Sequence, residues 1–220
     1  MKMRRCVFVT GGTGYLGRPL IAALLDRGYE VRALARPGSE SRLPPGCAAI
    51  IGDALDSSSY ASRILPAETF VQLVGIAHPS PSKASQFRSV DLASGRSAIQ
   101  AAAQSGIRHF VYLSVAQPAP VMKAYIEVRR ECEALLGETS MNVTIVRPWY
   151  VLGPGHRWPY FLLPVYWLME RVPISREGAR RLGLVTLAQM TRALVYAVEN
   201  PPPAGRIMEV PEIRAAGQLA

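Results

Sequence analysis

The chain has 220 residues, 25 Lys plus Arg against 16 Asp plus Glu, and is 49% hydrophobic but only 19% charged. That length suits one full domain able to bury its own core, and the apolar content excludes a disordered chain. Cys6, Cys47 and Cys132 are odd in number and widely spaced, so neither a disulfide framework nor a metal site is expected.

The net charge of +9 rests almost entirely on arginine, scattered along the chain. A nucleic-acid protein gathers such charge on one element among aromatic residues, so no nucleic-acid partner is expected. The apolar stretch after Arg5 runs directly into glycines and is too short for a signal peptide. The segment Tyr160 to Met169 falls well short of the ~20 residues of a spanning helix. A soluble, cytoplasmic protein is expected, at most peripheral to a membrane.

Short β-branched runs alternate with longer segments of helical period, the pattern of a parallel sheet with crossover helices. The predicted strands are Cys6–Thr10, Glu30–Ala35, Ala48–Gly52, Thr69–Val74, His109–Ser114 and Asn142–Arg147, with a late one at Ile207–Val210. The predicted helices are Tyr15–Asp26, Phe87–Gln104, Met122–Leu136 and Thr186–Glu199. Residues 148–183, rich in Pro and Gly, break the rhythm and read as an irregular cap within a single unit spanning 1–220.

The most informative stretch is Thr10-Gly11-Gly12-Thr13-Gly14-Tyr15-Leu16-Gly17, placed between the first strand and the first helix. Gly11 permits a tight turn, Gly14 lets a pyrophosphate approach the backbone, and Gly17 lets helix pack on strand, while the helix N-terminus offers its N–H groups to phosphate. Gly11, Thr13, Gly14, Tyr15, Leu16 and Gly17 are therefore candidate cofactor residues. Arg36 stands 19 residues after Gly17, close to the ~20-residue distance at which an acid would bind the ribose hydroxyls of NAD. An arginine there suits a 2′-phosphate, so NADP(H) is preferred, with NAD(H) as the alternative. Asp53 and Ala54 follow the third strand, where the carboxylate either meets an adenine amino group or caps its own loop. Val74 and Gly75 follow the fourth strand, where a cofactor needs close backbone approach, and His78 reads as a loop histidine.

Together with Ser114, Tyr125 and the run Arg147-Pro148 through Val151-Leu152-Gly153-Pro154-Gly155, these residues resemble the extended and atypical branches of the short-chain dehydrogenase/reductase superfamily. The likeness covers about residues 5–155, and more loosely continues to about 210. It implies a Rossmann-type, doubly wound parallel sheet with a small irregular C-terminal cap, and Pro148 on the cofactor side. The nearest likeness is to NAD(P)H-binding proteins related to the nucleotide-binding subunit of respiratory complex I and to NAD(P)-sensing regulators.

The superfamily pattern is a serine with Tyr-x-x-x-Lys, which here becomes Ser114 with Tyr125 and Arg129. The resemblance implies that Tyr125 exchanges a proton with substrate while Arg129 orients it and donates to the nicotinamide ribose. The bland alternative has Arg129 paired with a carboxylate such as Glu133, at helical spacing. Two functions remain open: an NADP(H)-dependent oxidoreductase acting on a small apolar carbonyl or alcohol, or a non-catalytic NADP(H) sensor or accessory protein. The second could dock on a partner or membrane through Pro159–Pro173. Trp149, Tyr150, Trp158, Tyr160, Phe161, Tyr166 and Trp167 make the cap strongly aromatic, suited to an apolar pocket, a docking face or the cap's own core.

Overall fold

In the computed structural model of the protein, which describes residues 5–77, 79–119, 121–154, 178 and 181–216, the β-branched runs pair into one parallel sheet. Its strands are β1 (Cys6–Thr10), β2 (Glu30–Ala35), β3 (Ala48–Ile51), β4 (Thr69–Gln72), β5 (His109–Leu113) and β6 (Asn142–Val146). After β7 (Tyr150–Leu152) and β8 (Leu184–Thr186) comes β9 (Arg206–Met208), which completes a sheet of order β3-β2-β1-β4-β5-β6-β9. The winding reverses between β1 and β4, which opens a crevice at the carboxyl ends of those strands.

Alternation along each strand sends side chains to two separate cores. Val7 and Val9 of β1 pack with Leu20 and Leu24 of α1 (Gly17–Asp26), and with Leu194 of α5 (Leu187–Glu199) and Ile213 of α6 (Val210–Ala216). On the other face, Phe8, Phe70 and Phe110 stand side by side on β1, β4 and β5, with ring centroids 5.1 Å apart at both steps. They are covered by Phe87 and Ala98 and by Val128 and Leu136 of α4 (Lys123–Gly137). The helix behind them is composite. A short α2 (Ala84–Gln86) continues through a π-helical turn (Phe87–Leu92) into α3 (Ala93–Gln104).

Strand expectations differ from the structure chiefly at carboxyl ends, and helix expectations by a few residues at their amino ends. Gly52, Val74, Ser114 and Arg147 lie just beyond their strands; three of these four, Gly52, Val74 and Ser114, line the crevice. The late strand lies at Arg206–Met208, and Val210 instead opens α6. Within and beside the expected irregular cap, β7 and β8 form a small parallel pair. Thr186 then caps α5 by accepting from Gln189 N–H, while the Gln189 side chain accepts from Thr186 N–H. Trp158, Tyr160, Phe161, Tyr166, Trp167, the segment Pro159–Pro173 and His78 lie outside the described residues. Among the described residues, no helix is long and apolar enough to cross a membrane.

Candidate active site

A cavity of about 1130 Å³ fills the crevice. It exceeds the roughly 300–1,000 Å³ of ordinary small-molecule pockets, enough for an extended ligand and a second, small one.

Its phosphate end is the glycine turn, where Gly11, Thr13, Gly14, Tyr15, Leu16 and Gly17 all line the wall. Gly11 has φ +74°, and a Cβ there would lie 2.8 Å from the Leu73 carbonyl carbon, so a side chain is excluded twice over. Gly14 N–H donates to Gly11 O at 3.0 Å and closes the turn. A Cβ on Gly17 would overlap Gly11 O, so α1 is packed directly onto the turn. Among the described residues, no side chain caps α1, which leaves its N-terminus suited to an anion. These features fit a dinucleotide pyrophosphate.

At the far end, Arg36, Asp53 and Ala54 line the wall, with Arg36 and Asp53 exposed. Asp53 Oδ1 accepts from Leu55 N–H at 2.9 Å, so the carboxylate shapes its own loop while facing the cavity. Arg42, which sequence reasoning did not single out, donates from Nη2 to Thr13 O at 3.4 Å and brings a second guanidinium over the glycine turn. Its sequence signal was only proximity to Arg36.

At the third end, Val74, Gly75, Ser114, Tyr125 and Pro148 come together with Trp149 and Tyr150. Ser114 is delivered by the end of β5, its N–H still donating to Val146 O at 2.8 Å. Its hydroxyl donates to Glu133 Oε1 at 2.5 Å. The same carboxylate accepts from Gln117 Nε2 at 3.0 Å and from Arg147 Nε at 3.0 Å and Nη2 at 2.5 Å. Burial works against the charge on Arg147, but Glu133 and Glu209 outweigh it and hold its pKa above the usual value.

Arg129 is not among the cavity's lining residues. Its Nη2 donates to Asp91 Oδ1 at 2.5 Å, and its Nη1 donates to Leu113 O at 2.9 Å and Tyr112 Oη at 3.3 Å. The two paired side chains are 3% and 0% exposed. Burial disfavours the guanidinium charge, yet Tyr125, Tyr112 and Asp91 together hold its pKa well above the ordinary value. Burial pushes the Asp91 carboxyl up, with Arg129 pulling against it. A Cβ on Gly75 would run into Arg129 Nη2, which places the guanidinium directly behind the loop after β4.

Arg129 therefore pairs with a carboxylate, as the bland alternative has it, though not with the one that helical spacing names. Its η donors are engaged by protein groups rather than facing a ribose, and its carboxylate partner is Asp91 rather than Glu133, which Arg147 takes instead. It does meet Tyr125, with its guanidinium carbon 4.9 Å from the ring centroid, while Phe87 packs against the same ring at 4.9 Å.

A parallel sheet reversing at β1 and β4, with a glycine turn feeding an uncapped helix over the reversal, defines a dinucleotide-binding α/β protein. The chain matches the NAD(P)H-binding family over residues 11–158 and belongs to it. It is 27% identical over 199 residues to the ceramide reductase of Caulobacter vibrioides, covering 90% of this chain and 58% of that protein. It is also 27% identical to the 3-diazoavenalumate denitrifying reductase of a Streptomyces species, covering 88% of this chain and 72% of the relative. Among solved structures, the Bordetella bronchiseptica enzyme WbmH in complex with NAD+ shares the fold at a TM-score of 0.70 and 20% identity. That match covers 94% of this chain and 76% of WbmH. A short-chain dehydrogenase/reductase superfamily protein from Agrobacterium tumefaciens with bound NAD shares the fold as well, at a TM-score of 0.67 and 17% identity, covering 93% of this chain and 76% of that one.

Proposed function

We propose that the protein is an NADP(H)-dependent oxidoreductase transferring a hydride to or from a small, apolar carbonyl or alcohol. The observation that carries this reading is that one cavity joins the glycine turn, Arg36 and the Ser114–Tyr125 pair. Arg36 binds the 2′-phosphate, Asp53 and Ala54 border the adenosine, and Val74, Gly75 and Pro148 border the nicotinamide. When bound, the cofactor supplies or accepts the hydride. Tyr125 gives a proton to the substrate oxygen in reduction and takes it in oxidation, and Ser114 bonds the same oxygen. Arg129 acts through Tyr125 as a positioning residue, holding the ring from behind. Ile76, Ala77, Val90, Val115 and Met122 make the adjoining wall apolar, which suits an uncharged substrate. The two reductases among its relatives support the reaction class.

The test is NADPH binding by nucleotide fluorescence, followed by a screen of aldehydes, ketones and quinones with wild type and Tyr125→Phe. The variant is expected to bind NADPH normally and to lose roughly 10²–10⁴-fold in turnover. Equal turnover in the two proteins would remove Tyr125 as the acid. The withdrawal of Arg129 behind Gly75 favours a second reading, a non-catalytic NADP(H) sensor or accessory protein. It predicts nucleotide binding with no turnover of any carbonyl.

A further inference from the structure

Ser114 is 3% exposed and lines the cavity, while its hydroxyl proton is directed at Glu133. A serine hydroxyl has one proton, and a carboxylate held by a guanidinium only accepts. Glu133 is such a carboxylate, with a side chain 9% exposed and both oxygens bonded to Arg147 and Gln117. Gln117 cannot relieve Ser114 of its role, because its Oε1 already accepts from Arg130 Nε at 2.5 Å. The hydroxyl is thus fixed as a donor to Glu133, and what Ser114 offers the cavity is lone pairs.

We propose that Glu133 is a positioning residue that sets the polarity of Ser114, so that the site binds the alcohol form of its substrate in preference to the ketone. The inference rests on the oxidoreductase reading above. A carbonyl oxygen only accepts, and against Ser114 it meets a second acceptor. An alcohol hydroxyl donates to Ser114 Oγ and keeps a lone pair for Tyr125. In reduction, Ser114 must leave Glu133 before it can bond a carbonyl oxygen.

The experiment uses the full chain in two unreactive complexes. 1-Phenylethanol is titrated into the NADPH-loaded protein and acetophenone into the NADP+-loaded protein, and dissociation constants are read by calorimetry. Wild type is expected to favour the alcohol. In Glu133→Leu no acceptor faces Ser114, and the serine proton is free for the cavity. The alcohol-to-ketone preference is then expected to fall about five- to tenfold relative to wild type, the size of one hydrogen bond. Comparing the same two complexes across variants cancels the difference in cofactor form.

Ser114→Ala supplies the second variant: it should lose the preference by weakening the alcohol alone, and adding Glu133→Leu to it should change the ratio no further. An unchanged ratio in Glu133→Leu, an equal shift in the Ser114→Ala background, or no binding of either probe to nucleotide-loaded protein would overturn the proposal. Failure to bind NADPH or NADP+ at all would instead be a failure of the oxidoreductase reading.

Discussion

Arg129 of α4 and Asp91 of the π-helical turn form a buried ion pair, 2.5 Å from Nη2 to Oδ1, that ties the helix carrying Tyr125 to the turn whose Phe87 packs against that ring. Asp91 also accepts from Ile76 N–H at 3.3 Å, so the pair anchors the loop after β4 as well. Removing one member strands the other charge in the core. Arg129→Met is predicted to cost about 3–5 kcal/mol of stability, and the double variant Arg129→Met/Asp91→Asn to recover part of it, because the amide oxygen still accepts from Ile76. Urea unfolding checks this, and additive losses would show that the pair is not coupled.

Gly75 has no room for a methyl group because Arg129 Nη2 occupies that space, with Asp91 Oδ1 2.9 Å from the same point. Gly75→Ala must displace either the ion pair or the cavity wall. It is predicted to cost about 1–3 kcal/mol and to weaken dinucleotide binding. Thermal melts with and without NADPH separate the two effects. A variant that keeps both wild-type stability and the wild-type ligand-induced shift would show that the loop adapts freely.

The glycine turn and the positions of the strands were legible because their signals are local. Cys6–Thr10 is a continuous apolar run, and the turn that follows needs particular residues at fixed offsets. The ion pairs were not legible in the same way. Helical spacing points Arg129 at Glu133, but Arg147, from the end of β6, reaches Glu133 first, and Asp91 arrives from 38 residues away. The clue to Asp91 was a lone acid between Val90 and Leu92. It faces inward from a π-helical turn, which no residue period announces. The pairing of β7 with β8 was hidden because each has three residues and residues 153–183 intervene.

Arg36 lines the cavity at the end of β2, where its side chain is exposed and its carbonyl is fixed by Ser39 Oγ at 2.7 Å. Arg36→Asp is predicted to weaken NADPH roughly ten- to a hundredfold, the range for a charge-assisted hydrogen bond, and to change NADH far less. Fluorescence titrations with both nucleotides give the ratio. Equal losses would remove Arg36 from the 2′-phosphate role and leave Arg42 as the cation to test there.

The sheet also carries a pH dependence far from the cavity. His109, at the start of β5, is 2% exposed, with Nδ1 3.4 Å from Thr69 Oγ1 and Nε2 3.0 Å from Thr144 Oγ1 on the two neighbouring strands. Burial, aided by the positive charge of Arg206, lowers its pKa to about 4, from an ordinary value of 6.5. The folded protein therefore keeps the ring neutral where the unfolded chain already binds a proton. This contribution to stability is complete above pH 6.5, declines as pH falls toward 4, and is exhausted below that. The slope in this window is about 1.4 kcal/mol per pH unit, and the whole effect is about 3 kcal/mol. His109→Asn is predicted to lose stability at neutral pH but to show a shallower decline between pH 6.5 and 4 than wild type. Denaturant unfolding at half-unit pH steps measures both curves, and parallel curves would mean that another group carries the acid sensitivity.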